Sequence, residues 1–423
     1  MKTLYLHIGT PKTATSSIQK FLAQNREVLE SKGYVFPKSL HRYLNVNSRR
    51  NGHFLVRKVE KAEGGRDHEL EKQYLQEGYD LIAKEFQTYD HVILSDESVW
   101  FASSYSCKDL FTDLKKQADD NHYQVKIIVY LRRQDTFFLS RWNQAVKQNV
   151  GYSSVLSCDE YIRKTLKKDG KILNYAHKLD QIADIFGADN LIVRRFEPTS
   201  WVDGSIIHDF MEAIGIPVTE SFMELEEDAN LRLGKNETEI KRIVNTVPNL
   251  SREEVAYLGQ ALKTLSADGT KEKPSEMLSV EELEEFLAPY EAGNTYVAET
   301  YLKDGKPLFS QQIKNVPKWD VDNPQMLPDV IAFISPYRQD RRNAKKIIGE
   351  GFREVYVSTS IAECEKRDVK GLYKAAREGK IAHFTGITSP YEVPEHPDVA
   401  VDTAEMDVEA CVDHILNRLG CLL

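Results

Sequence analysis

The chain has 423 residues, 41% hydrophobic and 29% charged, a balance that excludes wholesale disorder. At roughly 150 residues per domain it has room for two or three domains. The net charge of −9 excludes a nucleic-acid binder or a polybasic membrane-surface protein held by bulk charge, so any bound anion needs a local site.

Five scattered cysteines, none paired at zinc or redox spacing, predict free thiols in a reducing compartment. With no apolar leader at the N-terminus, the expectation is a cytoplasmic chain. Nowhere do about 18 apolar residues run together, so no membrane span is expected.

In chain order, β-rich runs at 3–8, 91–95, 125–131 and 190–194 alternate with helical patterns such as 69–86 and 172–185. Short strands separated by helices predict βαβ units, an α/β class and a largely parallel sheet. Residues 204–302 read as nearly all helical, including 238–247, 252–265 and 280–287, and are expected to pack around the sheet and shape a pocket. Pro317, Pro324 and Pro328 then mark a stretch of little periodicity. After it, βα alternation resumes with a strand at 330–334, a helix at 339–348, a strand at 354–358 and two more helical stretches. The predicted division is 1–312, a linker at 313–327, and a second module at 328–423.

The first strand runs into Gly9-Thr10-Pro11-Lys12-Thr13-Ala14-Thr15-Ser16-Ser17, after which Ile18, Phe21, Leu22, Val28 and Leu29 recur on one helical face. Such a loop lies at the carboxyl edge of a parallel sheet, where backbone N–H groups and the positive helix end bind phosphate. Lys12 adds a full charge, and Thr13, Thr15, Ser16 and Ser17 add hydroxyls. The spacing is not that of a nucleotide-triphosphate P-loop, which needs a glycine directly before its lysine. A plain helix cap is the structural alternative.

Residues 125–144 read as a buried strand that turns into a helix. Arg132 at the strand end and Ser140 eight residues later can converge on one anion. Arg133 and Arg141 are alternative donors, and a solvated basic edge is the structural alternative.

The first loop resembles the 5′-phosphosulfate loop of sulfotransferases that use 3′-phosphoadenylyl sulfate (PAPS), whose pattern is Pro-Lys-[Ser/Thr]-Gly-Thr-[Thr/Ser]. Here Ala14 stands for the usual glycine. The resemblance implies Lys12 at the bridging oxygen of the phosphosulfate, with Thr13, Ala14, Thr15, Ser16 and Ser17 around the 5′-phosphate. It implies Arg132 and Ser140 on the 3′-phosphate, PAPS as co-substrate, no metal, and a P-loop-NTPase-like parallel sheet flanked by helices. Residues 190–197 and 294–302 resemble the family's later strand and the terminal helix of bacterial members.

Sulfuryl transfer needs a base near the acceptor. The run 91–95 ends in Asp96-Glu97-Ser98-Val99-Trp100-Phe101, which resembles the catalytic glutamate segment of carbohydrate N-sulfotransferases. That resemblance implies Glu97 as general base and a glycan acceptor. Asp96 and His7 stand behind Glu97, and capping of the next helix is the structural alternative. His53 either lines the acceptor site or is structural.

Further on, Phe333-Ile334-Ser335-Pro336-Tyr337-Arg338, the run 367–377 and the run 384–392 resemble signatures of adenylylsulfate (APS) kinase, the enzyme that makes PAPS. The resemblance implies Lys370 and Lys374 on a mobile lid, and Phe384 stacked on adenine. That family's Gly-rich ATP loop and Asp-Gly-Asp segment occur nowhere in this sequence. The expectation is therefore a truncated second α/β module without kinase activity of its own, either a weak second nucleotide site or packing. It must cover its sheet edge by docking, by dimerising, or by pairing with another chain. Two rival functions remain: an ATP-dependent kinase that forms PAPS, and a non-catalytic adenine-nucleotide sensor.

Overall fold

Apolar runs too continuous for a one-sided strand become the centre of a parallel sheet covered on both faces. The computed structural model describes residues 1–61, 64–149, 151–225, 233–246, 259–260, 262–263, 266, 275–322, 338, 341–342, 345, 352–368, 371–379, 384–388 and 390–419. The expected strand at 330–334 lies outside these residues, as do most of the expected helices at 252–265 and 339–348.

The strands are β1 (Thr3–Gly9), β2 (Tyr34–Val35), β3 (His91–Ser95), β4 (Gln124–Leu131) and β5 (Leu191–Arg195). They form one sheet in the order β2-β3-β1-β4-β5, and every pairing is parallel. The four longer strands are those expected from the sequence. β2 has two residues, too few for an alternation pattern to register.

Successive strand residues point to opposite faces. Leu4, Leu6 and Ile8 of β1, with Val125, Ile127, Val129 and Leu131 of β4, pack against Tyr79, Ile82, Leu114, Leu179 and Ile182 from three helices. Tyr5, Ile128 and Tyr130 pack the other way, onto Ile18, Phe21 and Leu22 of helix α1 (Thr15–Gln24) and onto Phe210 and Met211. A one-residue slip of β1 would exchange its two apolar faces, so the register is strongly specified.

The order reverses direction at β1, so the crevice outside the carboxyl ends of β1 and β4 is where such sheets bind ligands. In the region expected to be helical, Ile206–Ala213, Lys235–Val244 and Val280–Val297 are helices, the last continuing as a π-turn over Ala298–Leu302.

The chain divides into two compact units. One comprises Met1–Ala145, Leu156–Asn230 and Ser275–Lys318; the other comprises Val146–Val155, Leu231–Pro274 and Trp319–Leu423. In the second unit β6 (Val355–Val357) and β7 (Val399–Val401) pair in parallel. Val399 and Val401 pack on Cys411, with Met406 and Ile415 against them. Ser360 caps helix Ile361–Lys366 through the Glu363 amide. No described helix is long and apolar enough to cross a membrane.

Candidate active site

The loop after β1 is braced from within. Both the amide and the hydroxyl of Thr10 donate to the Tyr130 carbonyl, at 2.9 and 3.1 Å. Thr13 is fully buried and its hydroxyl donates to the Thr10 carbonyl. Its proton is thus turned into the loop, so Thr13 braces the loop and does not supply the outward donor read from sequence. Lys12 (φ 72°) and Ala14 (φ 55°) are both left-handed, which curls the chain so that α1 starts at Thr15.

Ala14 caps α1 with no side-chain acceptor. Thr15 is 4% exposed, and its Oγ1 has no hydrogen-bond partner. A buried hydroxyl without a partner at a helix N-terminus suits an anion with several oxygens. Ser16 is exposed, and Ser17 is partly so.

Gly9 (φ +95°) closes the approach to β3. A Cβ there would lie 3.0 Å from the Pro11 nitrogen and 3.1 Å from the Glu97 Cβ. Only a glycine lets the loop pass this close to Glu97, so the loop after β1 and the acidic pair share one edge.

Two adjacent carboxylates then take different roles. Asp96 is fully buried. Its Oδ2 lies 2.8 Å from His53 Nδ1 and 3.1 Å from Arg50 Nε, and its Oδ1 accepts from Arg50 Nη2 and from the Ser98 amide at 2.7 Å. Burial alone would push the Asp96 carboxyl up, but the His53 hydrogen bond and the Arg50 charge outweigh it and hold the group below the ordinary range. Glu97 keeps 22% of its side chain exposed. Burial first, and then the Asp96 charge, push its carboxyl up, and Arg50 and Gln19 only partly oppose this. A pair whose environments drive the two groups apart in this way is the pattern of an acid/base site.

The structure separates the other candidates. His53 is buried against Asp96, with its ring edge on Tyr43 at 4.6 Å between centroids. His7 is fully buried, beside the Ser95 hydroxyl at 3.0 Å, and burial lowers its imidazole to about 3. Both His7 and Asp96 are fully buried, whereas Glu97 keeps part of its side chain exposed.

At the end of β4, Arg132 Nη1 donates to the Lys12 carbonyl at 2.9 Å and Nε to Thr136 Oγ1 at 3.1 Å, and its guanidinium lies over the Phe196 ring. Ser140 is partly exposed in helix Gln134–Gln148, almost two turns in. Arg133 pairs with Asp135 and donates to the Gln311 carbonyl. It also lines a cavity of about 870 Å³, together with Asn294, Lys303, Lys306, Phe309 and Ile313. Glu291 and Glu299 line it as well, so its charge is mixed, and its volume is that of a small-molecule site.

Arg50 and Gln19 are the site residues that sequence reasoning missed. Gln19 Nε2 reaches the Ser95 carbonyl and hydroxyl, and Glu97 Oε2 at 3.5 Å. Among the described residues no cluster of three or more His, Cys, Asp or Glu is placed to hold a metal.

Of the second-site candidates, Lys370 lies outside the described residues. Lys374 is in helix Leu372–Arg377, where its amide and that of Leu372 donate to the Asp368 carboxylate. Phe384 packs edge-on against Tyr373, with centroids 4.9 Å apart.

Residues 308–402 match the adenylylsulphate kinase family. The adenylyl-sulfate kinase of Clostridium acetobutylicum is 52% identical over 90 residues, 21% of this chain and 45% of that protein. That of Bacteroides thetaiotaomicron is 54% identical over 91 residues, again 21% and 45%. The chain therefore spans about half the length of the curated relatives it matches. A solved sulfotransferase from Alicyclobacillus acidocaldarius aligns with a TM-score of 0.33 and 17% identity, over 58% of this chain and 94% of that one. The chain thus carries an adenylylsulphate-kinase-like segment over residues 308–402.

Proposed function

We propose that the chain transfers a sulfuryl group from PAPS to a hydroxyl or amine of an acceptor, with a glycan as the favoured class. One observation carries the reading: Gly9 brings the loop after β1, with its unpartnered Thr15 hydroxyl, against Glu97, the one of two neighbouring carboxyls whose proton affinity is raised.

PAPS supplies an activated sulfuryl group on a phosphate leaving group. The first-turn amides of α1 and the Thr15 hydroxyl fit the 5′-phosphate end, with Ser16 and Ser17 beside them. Arg132 with Ser140 takes the 3′-phosphate, and the cavity that opens at Arg133 has room for the nucleoside. Glu97 accepts the acceptor's proton as the new bond to sulfur forms and the bond from sulfur to the 5′-phosphate oxygen breaks. Lys12 meets the charge that develops on that oxygen, so it stabilises the transition state more than the ground state.

The kinase-like segment is read as a half-site for an adenine nucleotide without phosphoryl transfer of its own. An ATP-hydrolysis assay separates this from a PAPS-forming kinase.

The deciding experiment incubates the full chain with labelled PAPS and a panel of glycan acceptors. Transfer of label that falls about 10²–10³-fold in Lys12→Ala is the expected result. Unchanged turnover of that variant at saturating PAPS removes the role given to Lys12. Nucleotide binding without turnover in either protein leaves a sensor.

A further inference from the structure

Arg50 belongs to no motif, yet it forms an ion pair with each of the two acids of the edge, Asp96 and Glu97. Its Nε and Nη2 are committed to Asp96, and Nη2 also donates to Ser98 Oγ. Asp96 is itself pinned by His53 and by the Ser98 amide. The guanidinium plane is therefore fixed before Glu97 is considered, and Nη1 is left 3.5 Å from Glu97 Oε1. The other oxygen, Oε2, has Gln19 Nε2 at the same distance, held in turn by the Ser95 carbonyl and hydroxyl. One oxygen of Glu97 thus faces the guanidinium as an ion pair and the other faces the Gln19 amide, both at 3.5 Å.

We propose that Arg50 is the positioning residue of Glu97, orienting its carboxyl and tuning its basicity by dividing one guanidinium between two acids; the proposal rests on the reading of Glu97 as general base. A cation given wholly to Glu97 would make it a weaker base, and no cation would leave burial and the Asp96 charge to raise its proton affinity with no charge opposing them. Arg50 avoids both extremes because Asp96 takes most of its donors.

The other groups around Glu97 do not substitute for it. Asp96, next in sequence, adds a like charge. The first helix contributes neutral Gln19, and β1 contributes uncharged His7 behind Ser95. The loop after β1 carries Lys12, which faces the anion in the proposed reaction.

The test is a carboxyl-carbon NMR titration of the full chain with labelled glutamate, using Glu97→Gln to assign the resonance. Arg50→Gln is expected to raise the Glu97 midpoint by about one pH unit or more, tenfold in proton affinity, and Arg50→Lys by less. Asp96→Asn is expected to lower it, since the repulsion goes and the guanidinium is released. Thermal melts identify which variants fold; if Arg50→Gln does not, the lysine and asparagine variants carry the comparison through their opposite directions. An unmoved midpoint in a cooperatively melting Arg50 variant overturns the proposal. Full turnover by Glu97→Gln instead overturns the general-base reading, and the titration result distinguishes that failure from this one.

Discussion

The Arg132 guanidinium donates through Nη1 to the main-chain carbonyl of Lys12 at 2.9 Å, which ties the end of β4 to the loop after β1. Arg132 therefore acts on the loop's shape as well as on any anion it meets. Arg132→Ala is expected to weaken binding of adenosine 3′,5′-bisphosphate about ten- to hundredfold by calorimetry, the loss of a charged hydrogen bond. Arg132→Lys should recover only part, because an ammonium cannot hold Lys12, Thr136 and a phosphate in one plane. Unaltered binding by the alanine variant would remove Arg132 from the nucleotide site.

Ala14 occupies a left-handed position, φ 55°, where a side chain costs about 1–2 kcal/mol. Ala14→Gly relieves that strain and returns about 0.4–1 kcal/mol to the unfolded chain as entropy. The expected net effect is a gain of up to about 1.6 kcal/mol, read as a higher denaturant midpoint at unchanged m-value. A clear loss of stability would mean that the Ala14 methyl packs favourably enough to outweigh its backbone.

His7 predicts a pH dependence with a definite window. Burial lowers its imidazole from 6.5 to about 3. Between those values the unfolded chain binds a proton that the folded chain refuses. Its contribution is complete above pH 6.5 and falls toward pH 3, by up to about 1.4 kcal/mol per pH unit. Asp96, held below its ordinary 3.8, adds its own loss only at lower pH. Melting curves between pH 4 and 7 should therefore slope less in His7→Phe than in the parent, and equal slopes would refute this account.

For the second unit, the contact of Phe384 with Tyr373 sets packing against ligand stacking. A Lys12→Ala/Arg132→Ala double variant removes the first site, so nucleotide titration then reads what remains. Weak binding of APS or PAPS that disappears in Phe384→Ala is expected. No binding at millimolar nucleotide, in a chain that stays folded, assigns Phe384 to packing.

What could be read from the sequence was whatever is local along the chain. β1, the loop and α1 form one continuous run whose period and punctuation report the structure directly. The adjacency of Asp96 and Glu97 was legible, but the opposite directions in which their proton affinities are pushed were not. They depend on Arg50 and His53, separated from Asp96 by 46 and 43 positions, and on which side chain the fold seals. Gln19 reads as one polar residue on a helix and becomes a site residue only because β3 ends beside it. The direction of the Thr13 hydroxyl was equally hidden, since serine and threonine clusters look alike whether their protons face in or out.

The kinase-like match begins at Leu308, yet Ser275–Lys318 belongs to the first compact unit. Within it, the Ser310 amide and hydroxyl and the Gln311 amide all donate to Glu197, a carboxylate 2% exposed. Gln311 also receives Arg133 through its carbonyl. The start of the kinase-like match therefore does not coincide with the boundary between the compact units. Severing the chain where the kinase resemblance starts would strip a buried charge of these donors, at a cost of several kcal/mol. Any recombination that grafts this C-terminal segment elsewhere must leave its first turn of sequence behind.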